Sequence, residues 1–204
     1  MLLVEETAPP AGALPVLLFR DHLRLGSGFA GAGEAAEEVA LAGYLRAAIA
    51  TIEARTGKVL LRRRFRLQLE DWREDEGQPL PLAPVNALGA VTVSDGAGTA
   101  YPVAPELLRL VPDHHRPRLI ARSGFLPLIP AGGFVTVIFT AGFGDSWDEV
   151  PADLAQAVLL LATRYFEERS FDEATPALPQ AVSALIERWR LVRVLAGRGG
   201  RARG

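Results

Sequence analysis

Val135-Thr136-Val137-Ile138-Phe139-Thr140-Ala141-Gly142-Phe143-Gly144 is the stretch whose reading decides the fold. Residues 134–140 read as a strand that runs into a glycine turn, and they close a strand-rich region. That region opens only after a long helix has ended at Ala54-Arg55-Thr56-Gly57. Beyond it, Pro151 sits where a first helical turn tolerates proline, and the helix it starts carries Tyr165-Phe166-Glu167-Glu168-Arg169. A last helix opens at Leu178-Pro179. The order is helices, strands, helices. It predicts an α+β fold: a bundle of about four helices, N- and C-terminal segments packed together, with a small antiparallel β region inserted between them.

Working outward, residues 34–56 form the long helix, with Leu41, Leu45, Ala48, Ile49 and Ile52 on one stripe. Acidic Glu34, Glu37 and Glu38 suit its N-terminal end, and Gly57 is a natural residue just past its C-terminus. At 1.5 Å per residue it is roughly 35 Å long. Before it, residues 26–33 make a glycine-rich loop. Residues 15–25 make a short helix, with Leu17, Leu18, Asp21, His22 and Leu25 spaced along one face. Residues 1–13 read as a loose Pro/Ala/Gly arm. After Gly57 the period becomes two: Leu61, Arg63, Phe65, Leu67 and Leu69 share one face, and Arg62, Arg64, Arg66, Gln68 and Glu70 the other. Val91-Thr92-Val93-Ser94-Asp95 and Thr99-Ala100-Tyr101-Pro102-Val103 flank Gly96-Ala97-Gly98 as a hairpin, and residues 118–122 supply a further strand. The expected organisation is therefore an arm at 1–13, one domain at 14–196 and a disordered basic tail at 197–204. Within the domain we expect helices at 15–25, 34–56, 151–170 and 179–196, with the β insert at 58–144.

Composition narrows the class. The apolar share of 49% and charged share of 23% are those of an ordinary folded domain, and 204 residues can bury a core without staples. The chain has no cysteine, which excludes disulfides, thiolate metal sites and cysteine nucleophiles and fits a reducing compartment. Met1-Leu2-Leu3-Val4-Glu5-Glu6 has no basic region or sustained apolar core of a signal peptide, and the run at 157–163 is too short to cross a bilayer. We expect a soluble intracellular product. The net charge of -2 is unevenly spread: the last 18 residues carry +5, so the preceding 186 carry -7. Such an asymmetry points the C-terminus at an acidic partner. Lysine occurs once, at Lys58, against 21 arginines; with abundant Ala and Gly this reflects a GC-rich genome more than phosphate binding.

No motif gathers the groups an enzyme needs. Gly26-Ser27-Gly28-Phe29-Ala30-Gly31 matches a dinucleotide fingerprint in letters only. The residues before it read as helix rather than strand, and the helix after it opens with glutamates that repel phosphate. Adjacent His114 and His115 point opposite ways on an extended segment, and with Asp113 their spacing matches no usual metal site. Asp145, Asp148 and Glu149 are explained by negative charge ahead of a helix. We therefore expect no catalytic, cofactor or metal residues. Two basic features remain: the strand face Arg62, Arg64 and Arg66, and the C-terminal arginines with Trp189. Either one is a candidate nucleic-acid contact or a plain solvated surface.

Several stretches together resemble the head–tail connector (adaptor) proteins of long-tailed bacteriophages and phage-like gene transfer agents. They are Leu14-Pro15-Val16 leading to His22-Leu23-Arg24-Leu25, and Tyr44-Leu45 leading to Ile52-Glu53-Ala54-Arg55-Thr56-Gly57. Next come Leu80-Pro81-Leu82-Ala83-Pro84-Val85, Val91-Thr92-Val93 with the Asp95-Gly96 turn, residues 137–145, Val150-Pro151 and Tyr165-Phe166-Glu167-Glu168-Arg169. Leu178-Pro179 followed by Val182, Leu185 and Arg190 completes the series. The likeness covers most of residues 14–190 and rests on order and spacing. The chain departs from the family in its glycine-rich 26–33 loop, where acidic residues are usual, and in its basic extension past Arg190.

The resemblance implies a structural part and no enzyme. Subunits would form a ring, expected to be dodecameric, beneath the portal protein at the head–tail junction of a virion or gene transfer agent particle assembled in the bacterial cytoplasm. The ring would extend the DNA channel, pass DNA without specific binding, and seat the next tail component, a stopper or tail terminator; no membrane is involved. By the same analogy Arg188, Trp189, Arg190, Arg193, Arg198, Arg201 and Arg203 are the expected portal contacts. The alternative is a nucleic-acid-binding accessory protein that uses the basic tail.

Overall fold

Alternation along the deciding stretch becomes a strand, β8 (Phe134–Ala141), whose residues are by turns half-exposed and buried. The structure is a computed structural model and describes residues 1–25, 33–168 and 178–190. With β1 (Leu2–Glu5), β2 (Arg63–Leu69), β4 (Val85–Ser94) and β5 (Ala100–Pro102), β8 forms an antiparallel sheet ordered β1-β2-β8-β4-β5. A second antiparallel sheet orders β3 (Gly77–Pro79), β7 (Arg118–Ala121) and β6 (Leu108–Val111) as β3-β7-β6. The predicted hairpin is present: Thr92, Val93 and Ser94 pair with Pro102, Tyr101 and Ala100. Asp95 fixes its turn by accepting the backbone N–H groups of Ala97 and Thr99 at 2.9 and 2.8 Å.

Among the described residues there are four α-helices: α1 (Val16–His22), α2 (Gly33–Thr56), α3 (Ala152–Glu167) and α4 (Gln180–Ile186). The α2 stripe of Leu41, Leu45, Ala48, Ile49 and Ile52 is buried against Leu154, Val158 and Leu161 of α3, with Val182 and Ile186 of α4 in the same core. Phe65, Leu67, Val91, Val135, Val137 and Phe139 belong to a second core on the sheets. The fold is α+β, as the order of elements predicts.

The two cores meet where the chain leaves the helices and where it returns. Gly57 takes a left-handed φ of 68° and ends α2. The outgoing segment then lies beside the returning one: the Phe143 N–H donates to Leu60 O at 3.2 Å, and the Arg62 N–H to Gly144 O at 2.7 Å. The approach is so close that a Cβ on Gly142, whose φ is 137°, would lie 2.4 Å from Arg62 Cα. Glu53, on the last turns of α2, stitches the same place. Its Oε1 accepts the Leu60 N–H at 2.8 Å and its Oε2 the Arg63 guanidinium at 2.6 Å. Burial pushes its carboxyl up from the ordinary range despite the Arg63 charge beside it.

Four expectations are corrected. The N-terminal arm is not loose throughout: residues 2–5 are an edge strand paired with β2, and Glu5 lies 3.7 Å from the buried Arg63 guanidinium. Four residues of apolar character are too few to announce a strand whose partner lies some sixty positions away. On α1 the buried residue is Phe19, while Leu17 and Leu18 face solvent. A helix of two turns offers no unique stripe, so spacing misassigned its face. The last helix, expected to reach 196, ends at Ile186 in a 3-10 turn (Glu187–Trp189), and Arg190 is extended. The helix expected over 151–170 stops at Glu167, with Glu168 no longer helical, and the 26–31 glycine motif, residues 169–170 and the 197–204 tail lie outside the described residues.

Two glycines separate crowding from chain entropy. Gly142→Ala is expected to destabilise the fold by at least about 2 kcal/mol, from the positive φ and the clash together. Gly43, on the exposed side of α2, has nothing within 4 Å of a built Cβ, so Gly43→Ala should stabilise by about 0.5–1 kcal/mol. Urea unfolding of both variants checks the opposite signs.

Candidate functional site

The C-terminal segment is held where the two cores meet, and one carboxylate does most of the holding. Asp153 lies in the first turn of α3, and its Oδ1 accepts its neighbour Leu154 N–H at 3.0 Å. Its Oδ2 accepts both the Arg188 Nε–H at 2.6 Å and the Trp189 indole N–H at 2.7 Å. The Arg188 guanidinium also covers the Trp189 ring, 4.7 Å from its centroid. Partial burial pushes the Asp153 carboxyl up, but the bonds from Arg188, Trp189 and Leu154 outweigh it and hold the group below its ordinary value.

Trp189 is clamped from the other side as well. Phe143, on the returning segment, meets it edge-on with ring centroids 5.5 Å apart. His115, on the loop between β6 and β7, stacks on it at 6.5 Å. Behind His115, the fully buried Lys58 brings Nζ to 3.4 Å from His115 Nδ1. Burial lowers both groups from their ordinary values; for His115 the Lys58 charge adds to that, and for Lys58 Asp113 acts the other way. Asp113 accepts the backbone N–H groups of His115 and Arg116, both at 2.6 Å, and these hold its carboxyl low. The chain Lys58–His115–Trp189–Asp153–Arg188 therefore ties the β insert, the junction, α3 and the C-terminal segment together. Its contacts join elements to one another.

The sequence-predicted residues divide sharply. Arg188 and Trp189 converge on Asp153, while Arg190 pairs with Glu187 at 3.1 Å and is well exposed. Arg193, Arg198, Arg201 and Arg203 lie outside the described residues. The basic strand face is charge-compensated: Arg62 pairs with Asp145 at 2.7 Å, and Arg64 and Arg66 share Glu6 at 2.9 and 3.5 Å. Those carboxylates come from the N-terminal arm and from the acidic cluster, neither of which spacing could place there. Within that cluster Glu149 caps the Trp147–Glu149 turn, accepting the N–H groups of Asp145 and Ser146 at 2.8 and 3.0 Å. Among the described residues no three His, Asp or Glu side chains gather as a metal-holding group, and no helix is long and apolar enough to cross a membrane. Sequence reasoning missed Asp153 and Lys58. The usable signal was that Lys58 is the one lysine in an arginine-rich chain: a compact ammonium fits a closed site that a planar guanidinium does not.

No protein-family model matches the chain, and no curated protein matches it. Solved structures do. The chain is 57% identical, with a TM-score of 0.86, to a chain in a structure described as the neck of an empty GTA particle computed with C6 symmetry. The match spans 97% of this chain and 100% of that one. It is also 57% identical, with a TM-score of 0.83, to a chain from the virion of a native gene transfer agent (GTA) particle, over 97% and 100% of the two chains. A third, from the neck of a native GTA particle computed with C12 symmetry, is 52% identical at a TM-score of 0.81 with the same coverage.

Asp153→Ala is expected to cost about 1–3 kcal/mol in urea unfolding, the range for hydrogen bonds to a charged group. Because the folded carboxyl sits below its ordinary value of 3.8, its contribution is complete above that pH and is lost as the pH falls through the folded value. The stability gap between wild type and variant should therefore be constant at neutral pH and close in acid. A gap independent of pH throughout would remove the ionised carboxylate from the account.

Proposed function

The chain belongs to the neck-protein family of gene transfer agent particles, and from that premise we propose that it is the adaptor subunit that joins the DNA-filled head to the tail. As a member of that family it is a structural component, and its location is the neck of the particle. The observation that carries the finer reading is the 57% identity, sustained over 97% of this chain and the whole of the related neck chain.

The symmetries of the related structures support a ring. Identical copies in a neck with C12 symmetry repeat twelve times or in multiples of twelve, and a twelve-fold ring also satisfies C6. The proposed assembly is thus a dodecamer beneath the portal protein, with the next tail component, a stopper or tail terminator, on its other side. The body before residue 187 carries -7 and its strand arginines are paired, which suits a wall that DNA passes without being gripped.

The C-terminus is the proposed portal contact. The Asp153 clasp fixes Arg188 and Trp189 against the body, and together with Arg190, Arg193, Arg198, Arg201 and Arg203 they are the proposed contacts. One weak arginine contact repeated round a ring becomes a strong one, because later contacts form at high effective concentration.

Deleting the gene in producing cells is expected to leave DNA-filled heads and separate tails in electron micrographs, with tailed particles restored by the full chain. A chain ending at Ala196 should restore them at least about tenfold less well and recover correspondingly less portal protein in a pull-down. Equal recovery by both chains would move the portal contact into the folded body. Normal tailing without the chain would remove the adaptor role.

A further inference from the structure

Among the described residues, two exposed apolar surfaces stand beside different cores. One is an open trough of about 1130 Å3 lined by α1, α2 and the Trp147–Glu149 turn. Leu17, Leu18 and Val39 lie along it, 67%, 49% and 71% exposed. α1 already anchors itself through Phe19, which is fully buried, so its packing gives no reason for two adjacent leucines in water.

The other surface is the connection from β7 to β8. Phe125 and Leu128 are 72% and 86% exposed, yet the segment that carries them is fastened from behind. Between them Leu126 is buried, and its N–H donates to Asp75 O at 2.8 Å. The Trp72 indole donates to Pro127 O at 2.7 Å, and Ile129 packs on the sheet core. The backbone is therefore set before any partner arrives. A phenylalanine and a leucine presented this way bind with little further loss of chain entropy.

We propose that the Phe125–Leu128 knob of one copy seats in the α1–α2 trough of the next copy, and that this head-to-tail contact closes the ring. The inference rests on the reading of the chain as a ring-forming neck subunit and adds which surfaces meet. A cyclic assembly requires each subunit to give with one surface and receive with a different one. A single self-complementary patch stops at a dimer, whereas two unlike patches on separate cores propagate from copy to copy. Uncovered apolar surface of this kind marks protein contact, and an aromatic–aliphatic pair entering a groove is the usual form of an energetic anchor. The trough is also larger and more open than the enclosed pockets that hold small ligands, which matches a protein segment.

The absence of native cysteine makes the contact testable by cross-linking. Full-length chain carrying Val39→Cys with Phe125→Cys is assembled into particles, treated with a short bis-maleimide and run on a denaturing gel. A ladder extending past the dimer is expected from the double variant, with no linked product from either single variant. Dimers from Val39→Cys alone would mean that the trough pairs with itself and would overturn the proposal. So would the lack of a ladder in particles holding a normal complement of the chain. Wild-type chain absent from purified particles would instead remove the neck reading, and this interface with it. As a second readout, Leu128→Asp should unfold like wild type yet lower the tailed fraction by about tenfold or more; unchanged tailing would also overturn the proposal.

Discussion

The close passage of residues 142–144 against residues 60–62 is the constraint on which the rest of this structure depends. Two cores, one of helices and one of sheets, meet at an outgoing and a returning segment, and these are hydrogen-bonded side by side. Without a Cβ at 142 the backbones can touch; with one they cannot. Glu53 adds a second fastening from α2, partly buried and satisfied by the Leu60 N–H and the Arg63 guanidinium. A buried pair of this kind adds little net stability over an apolar alternative, but breaking one half leaves an unpaired charge in the interior.

The C-terminal clasp inherits that geometry. Phe143 comes from the returning segment, Lys58 from the outgoing one, His115 from the sheet core and Asp153 from the helix that follows. Trp189 touches Phe143, His115 and Asp153 directly, and Lys58 lies behind His115, so the position of Trp189 depends on how the two cores are set on each other. The sequence beyond this point is basic and the body before it acidic.

Charge on this chain is organised by pairing rather than by patches. Arginine is abundant, yet the strand arginines meet carboxylates from β1's end and from the cluster before α3. Among the described residues the surface also carries exposed apolar side chains, in the trough beside α1 and on the knob before β8. A neck component that touches copies of itself and neighbouring parts needs such surfaces. The catalogue of side chains is accordingly that of an assembly component, in keeping with the neck family to which the chain belongs.

The order of elements, the α2 stripe, the β2 alternation, the hairpin and the C-terminal charge were all legible in the sequence, because each is a local or periodic property. Periodicity over seven turns of helix leaves one buried face; over the two turns of α1 it leaves several, and Leu17 and Leu18 were placed on the wrong one. The strand at Leu2–Glu5, the Glu6 pairing of the basic face and the Asp153 clasp were not legible, since each joins residues from about sixty to more than thirty positions apart. By itself the sequence determined the class of fold, the absence of cysteine chemistry and an acidic body with a basic end. Only tertiary structure decided which charges are cancelled, where the final helix stops and which leucines stay in water, because pairing and burial depend on what the rest of the chain brings alongside.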